Sequence, residues 1–195
     1  IVSARSVCLS VEERARAARF RHSGARDEFV FGRIMLRELA GSILGVPSLR
    51  LRFSEGAFGK PYVSVPRDSE LQFNISHAGG WVVVAVSRLN PVGVDIEPSA
   101  YELPIEFLTK QVCSVGEAAL LAGLPVDRRN AEFLRIWTVK EAYFKATGEG
   151  LTERMASVDA CALPLPWNCA GLELPEGIIG AVVWQGDFPT GGIGA

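Results

Sequence analysis

The sequence predicts an α+β fold, and three observations carry that prediction. Glu28 to Leu44 sets Val30, Ile34, Leu36, Leu39 and Ile43 at helical spacing and stops at Gly45-Val46-Pro47. A second run, Phe133 to Gly150, has no Gly or Pro before Gly148 and reads as one helix stopped by glycines. Between them, Leu71 to Glu97 changes to a period of two, with three short strands joined by tight turns. With 195 residues, 48% of them hydrophobic, the chain can build one large domain or two small halves sharing a core.

Taken in order, Ser10-Val11-Glu12-Glu13 has the spacing of a capping box, and the Glu/Arg/Ala-rich run through Arg21 predicts a helix. Arg14, Arg16, Arg19, Arg21, His22 and Arg26 make this the most basic stretch, either a solvated face or, acting together, a hold on a phosphate. After the helix over 28–44, Leu49, Leu51 and Phe53 alternate with Arg50 and Arg52 as in a half-exposed strand, and Gly56 with Gly59-Lys60-Pro61 predicts a loop. The three strands that follow are expected to form a meander, with the β-branched middle strand, Trp81 to Val86, buried on both faces. Turns fall at His77-Ala78-Gly79-Gly80 and Leu89-Asn90-Pro91. Beyond Pro98 comes a proline-bearing connector with Leu103, Ile105, Phe107 and Leu108, then a helix from about Val115 to Ala122. After Gly150, strands are expected near Leu151 to Asp159 and Ile178 to Trp184, and a loose tail of small residues from Pro189.

A formal charge of −2 gives no protein-wide attraction to nucleic acid or membrane, so any anion site must be built locally. The apolar run Trp81 to Val86 is far too short to span a bilayer. Four cysteines without C-x-x-C pairing and two histidines indicate neither a zinc site nor a disulfide framework, and the expected compartment is the reducing cytoplasm. The chain starts at Ile1 without Met or a charged-then-apolar leader, which leaves its natural start open.

The chemistry-bearing residues gather on the third strand and the second long helix. Asp95 and Glu97 point to one face of their strand, about 6 to 7 Å apart at Cα, where unpaired they repel and raise a pKa. A divalent cation that prefers hard oxygens, Mg²⁺ first, relieves the repulsion; the alternative is a solvent-facing strand edge. Glu141 is the natural third ligand. Glu141 and Lys145, one helical turn apart, form either a surface pair or a carboxylate and an ammonium presented to a ligand. Lys140 falls in the middle of the stripe made by Phe133, Ile136, Trp137 and Phe144. Ser114-x-x-Glu117 stands at a real break and is expected to be a cap, whereas Thr138-x-x-Glu141 lies within helical periodicity. Asn74 to Gly80 ends a strand in Ser76, His77 and glycines able to reach phosphate oxygens, and no Walker A or G-x-G-x-x-G motif is present.

Together, Gly59-Lys60-Pro61, F-N-I-S-H-A at 73–78, G-V-D-I-E at 93–97 and W-T-V-K-E-A-Y-F-K-A-T-G at 137–148 resemble the signature blocks of the Sfp-type 4′-phosphopantetheinyl transferases, in order and spacing. R-A-A-R-F upstream is similar to the family's basic lead-in. The resemblance implies a pseudo-dimeric α+β fold of two similar halves, 1–98 and 99–195, each with a small antiparallel sheet and a long helix, and an active site in the cleft between them. It implies Mg²⁺ as cofactor, coenzyme A as co-substrate and an apo acyl or peptidyl carrier protein as partner, with a monomer expected. By matching positions, Asp95, Glu97 and Glu141 would ligate the metal. His77, Ser76 and Lys145 would meet the pyrophosphate, Lys60 and Arg16 the nucleotide's phosphate end, and Lys140, its stem packed in the apolar stripe, would reach the ligand with its head. Glu141, with Lys145, would be catalytic, taking the proton of the carrier serine as 3′,5′-ADP leaves.

Two departures stand out. Val112-Cys113 replaces an aromatic before Ser114, and the strand ahead of the first helix is confined to Ile1 to Val7. Two other functions are open to the same residues: a Mg²⁺-dependent enzyme acting on a nucleotide pyrophosphate with an activated water, and a catalytically silent module that binds coenzyme A or carrier proteins.

Overall fold

The computed structural model describes residues 8–56, 58–100, 103–150 and 154–187. The expected strand at 1–7 and the tail from Pro189 lie outside them. The fold is α+β. Its elements are α1 (Val11–Ala17), α2 (Ser23–Leu44), β1 (Arg52–Glu55), β2 (Pro61–Val65), β3 (Leu71–Ala78), β4 (Trp81–Arg88) and β5 (Val92–Pro98). There follow α3 (Ile105–Val112), α4 (Val115–Gly123), α5 (Val126–Thr147), β6 (Trp167–Gly171) and β7 (Ile178–Gln185).

Two helix-on-sheet units are visible. α2, 22 residues long, packs Leu36 and Ala40 into a cluster with Leu51, Val63, Leu71 and Phe73 from the early strands. α5, also 22 residues, packs Phe133, Ile136 and Phe144 against Val112, Leu121 and Met155. Both helices end at a left-handed glycine, Gly45 and Gly148, as the sequence predicts. The capping boxes at Ser10/Glu13 and Ser114/Glu117 both form.

The expected meander does not form. β3 and β4 pair antiparallel from Leu71↔Arg88 to Ala78↔Trp81, but β5 leaves them and joins a sheet of order β5-β7-β6. On its other edge β5 lies beside β3 through side chains: Val94 N–H donates to Asn74 Oδ1 at 3.0 Å and Ile96 N–H to Ser76 Oγ at 3.2 Å. These two polar side chains occupy the edge where a backbone ladder would run, so the strand nearest in sequence is not its ladder partner. The deeply buried strand is therefore β5, with Val92 to Ile96 all buried, whereas β4 is half-buried along its length.

Other differences are local. The first helix stops at Ala17 rather than Arg21, and Ser48–Arg50 forms a 3₁₀ turn that leaves Leu49 exposed. β2 lies where only a loop was expected, and β6 carries no period-two signal. The connector is helical from Ile105, because Pro104 at the helix start loses no intrahelical bond. α5 begins at Val126, two turns before its apolar stripe. Within 151–159, the described residues 154–159 hold a 3₁₀ turn at Met155–Ser157 instead of a strand, and Met155 aims its carbonyl at a buried ammonium.

α5 lies against β5 because position 93 is glycine. A Cβ there would stand 2.0 Å from Ala142 O and 2.6 Å from Ala146 N, both backbone atoms that cannot yield. Gly93→Ala is expected to lower the urea midpoint by an amount worth about 3 kcal/mol without changing the slope. An unchanged midpoint would show that the helix has room to retreat.

Candidate active site

The close approach at Gly93 brings the outward face of β5 under one face of α5. Asp95, two residues on from Gly93, is 3% exposed, and Glu141 on α5 is 6% exposed. Lys145, one turn along, donates to Asp95 Oδ1 at 2.6 Å. Ser76 on β3 donates to the same oxygen at 3.0 Å, while its own oxygen accepts the Ile96 N–H. A strand serine thus both seams β3 to β5 and steadies the acid. Asp95 Oδ2 is buried and has no partner among the described residues. Of the two readings of Glu141 and Lys145, the surface pair is not what forms: the amine turns to Asp95.

The electrostatics follow from this crowding. Burial, then the nearby Asp95 charge, pushes Glu141 up to about 7, with Lys145 pulling it back and Glu97 adding to the rise. Burial also raises Asp95 against the pull of Lys145 and Ser76. Glu97 rises through burial and then Asp95, while Lys145 and a hydrogen bond with Trp137 oppose it. Asp95 raises both glutamates and Glu97 adds to the rise of Glu141, so three acids crowd one small region.

That coupling has a stability consequence. Because folding lifts Glu141 from 4.5 to about 7, the folded chain holds a proton that the unfolded chain releases in that interval. Metal-free protein should therefore lose stability as pH rises from about 4.5 to about 7 and stay less stable above it. Thermal melts in chelator at roughly pH 5 and pH 8 check this, and Glu141→Gln is expected to flatten the difference and raise the melting temperature at the higher pH. A steeper fall in the variant would reverse the assignment.

Lys140 is a correction. Its Nζ is fully buried and is held by Glu117 Oε2, Val112 O at 2.7 Å and Met155 O at 3.0 Å. Glu117 in turn accepts the Ser114 and Ala160 N–H groups at 2.6 and 2.7 Å. A lysine on an apolar stripe reaches either a ligand or a buried acid, and here the cap glutamate of α4, the helix just before α5, supplies the acid. The head points into the second unit's core, so Lys140 is no ligand contact.

The remaining candidates sit around the first unit. His77, half-exposed, faces Glu28 of α2, with Nδ1 and Oε2 3.0 Å apart. Lys60 donates to Ala146 O in the last turn of α5 at 2.5 Å, so it ties the β1–β2 loop to that helix end, and burial lowers its pKa. Arg16 stands over the Phe29 ring and 3.6 Å from Glu55. It lines a cavity of about 490 Å³ with Arg33, Arg52, Phe29 and Phe53. Arg33 was missed from the sequence. Its Nη1 is buried without a partner among the described residues, and burial lowers its pKa. The signal was there in outline: arginines 33 and 37 recur at one-turn spacing on an otherwise apolar helix face.

Among the described residues, no three His, Cys, Asp or Glu side chains are gathered closely enough to hold a metal ion as they stand. The donor chemistry nevertheless suits a hard divalent cation: Asp95 keeps a buried oxygen with no partner, and Glu97 and Glu141 repel it. No helix among the described residues is long and apolar enough to cross a membrane.

Fold and site together define an α+β protein with two helix-on-sheet units and a carboxylate–lysine centre on the strand between them. Related sequences are known. A sequence profile of the 4′-phosphopantetheinyl transferase superfamily matches residues 91–172, and one for the N-terminal region of a 4′-phosphopantetheinyl transferase matches residues 2–89. The chain is 37% identical to the 4′-phosphopantetheinyl transferase HetI of Nostoc sp. over 74% of its own length and 62% of the relative's. It is 34% identical to psf-1 of Bacillus pumilus, over 78% and 63% respectively. It is 30% identical to a 4′-phosphopantetheinyl transferase of Bacillus subtilis, over 87% and 72%. The chain belongs to the 4′-phosphopantetheinyl transferase superfamily, Sfp-type. It spans a little over three fifths of the first two relatives, 62% and 63% of their length.

Proposed function

We propose that this chain transfers the 4′-phosphopantetheine arm of coenzyme A to a serine of an apo acyl or peptidyl carrier protein and releases 3′,5′-ADP. The observation that carries it is the meeting of Asp95, Glu141 and Lys145 across β5 and α5, with one Asp95 oxygen left unpaired in a buried place. The serine oxygen forms a bond to the β-phosphorus of coenzyme A, and the bond from that phosphorus to the bridging oxygen breaks. Glu141 would take the serine proton, directly or through a water. Lys145 and His77 offer cationic or hydrogen-bonding contacts to the pyrophosphate, and Ser76 holds Asp95 in place. Arg16 and, newly, Arg33, which line the arginine-rich cavity, would meet the nucleotide's phosphate end, together with Lys60 from the β1–β2 loop.

Asp95, Glu97 and Glu141 are the residues that would hold Mg²⁺, and when bound it would neutralise pyrophosphate charge so that 3′,5′-ADP leaves more readily. For Asp95 to contribute a ligand, its free Oδ2 is the atom available, since Lys145 keeps Oδ1. The halves 1–98 and 99–195, a monomeric state and a cytoplasmic location complete the proposal; β5 is the strand on which the two halves meet.

Incubation of the chain with coenzyme A, Mg²⁺ and an apo carrier tests the proposal by intact mass. The carrier is expected to gain the phosphopantetheine arm. Nucleotide hydrolysis without carrier modification would instead identify a pyrophosphate hydrolase, and coenzyme A binding with neither reaction would identify a silent module.

A further inference from the structure

α2 runs along β3 in the opposite direction, and its residues meet that strand in steps of one helical turn against two strand positions. Leu36 and Ala40 pack with Phe73 and Leu71. Gly32 comes next: a Cβ there would stand 3.1 Å from Ile75 Cγ2 and 3.2 Å from Val82 Cγ1, so the helix rides close to the sheet at this end. One further turn gives Glu28, and two further strand residues give His77.

At that last step the contact changes from apolar to polar. Glu28 Oε2 lies 3.0 Å from His77 Nδ1, and Oε1 accepts the Gly80 N–H at 2.8 Å. Both carboxylate oxygens are engaged, one by the imidazole and one by the turn that follows it. The Glu28 side chain is 17% exposed and that of His77 50%, so the acid sits behind a ring whose other side is open. Among the described residues, no partner lies within hydrogen-bond reach of Nε2.

We infer that Glu28 is a positioning residue for His77: by accepting Nδ1–H it holds the plane of the imidazole, turns the Nε2 edge outward, where the protonated ring donates Nε2–H to an anionic phosphate oxygen, and locks the 77–80 turn through Gly80. The inference rests on the proposed contact of His77 with the coenzyme A pyrophosphate. A carboxylate behind a histidine sets which ring nitrogen is available, just as it does for histidines that bind metals. When the ring carries its second proton, Nε2–H is the donor left for the phosphate, and the partly buried acid keeps the ring from turning away.

The chain holds only two histidines, so ¹⁵N imidazole spectra of the full chain resolve both, with exposed His22 as internal reference. With the imidazoles neutral, His77 is expected to carry its proton on Nδ1 in the parent and on Nε2 in Glu28→Ala, while His22 does not change. Steady-state kinetics should show a coenzyme A KM raised about tenfold in Glu28→Ala, with carrier KM unchanged and kcat altered little. In a His77→Ala background, Glu28→Ala should add nothing. Glu28→Gln keeps one acceptor for Gly80 N–H and supplies the same spectral readout should the alanine variant not fold. One tautomer in parent and variant, or an equal KM penalty with and without His77, overturns the positioning role. A tautomer switch accompanied by an unaffected coenzyme A KM in His77→Ala overturns the phosphate contact of His77 itself, a failure distinct from that of Glu28.

Discussion

Glu141→Gln is expected to lower turnover of apo carrier by about a thousandfold while leaving the chain folded, and Asp95→Ala to do the same. The two differ in what they do to the metal-free protein. Glu141 is an acid whose charge burial and Asp95 both oppose, so glutamine removes a repulsion and the melting temperature without metal should hold or rise. Asp95 is tied to Lys145 and Ser76, so alanine removes a repulsion and an ion pair together. Lys145 is 30% exposed and regains water, which keeps the net change small. Activity by the intact-mass assay and melts in chelator check both variants. Near-normal turnover in Glu141→Gln would remove this residue as the base, and a large loss of metal-free stability in both would make the acids structural.

Lys140→Met is expected to destabilise the chain by about 3 to 5 kcal/mol, because it leaves the Glu117 carboxylate buried without its cation. For a chain of this size that is a fall in melting temperature of about 10 °C. Adding Glu117→Gln should recover part of the loss. Recovery stays partial because the Val112 and Met155 carbonyls have lost their donor, and a glutamine has one acceptor oxygen where the carboxylate had two for the Ser114 and Ala160 N–H groups. The folded fraction of Lys140→Met should bind coenzyme A normally. A variant with parental melting temperature but lost coenzyme A affinity would restore Lys140 to the ligand cleft.

Caps and breaks were legible from local spacing alone. Ser10/Glu13, Ser114/Glu117, Gly45 and Gly148 all do in the structure what their sequence context predicts, since a cap is satisfied within four residues. The alternation in β5 was legible for the same reason: it put Asp95 and Glu97 on one face whatever the strand's partner. The partner itself was not. β5 pairs with β7, from Val92↔Trp184 to Pro98↔Ile178, far along the chain, and no pattern in either strand names the other.

By itself, then, the sequence determined the α+β class, both long helices, the acids of β5 and α5, and the family, because each rests on local periodicity or on contiguous motifs. Tertiary structure alone decided where the charged heads point. Lys140 and Lys145, five residues apart on α5, look equivalent as lysines in a motif, yet one is buried on Glu117 and the other meets Asp95. A long flexible amine takes whichever acid the packing brings within about 3 Å, and that is fixed by how α5 sits on β5 over Gly93 and how α4 sits on α5. The same holds for Glu28, an ordinary helix acid in sequence that becomes the backing of His77 only when α2 lies along β3.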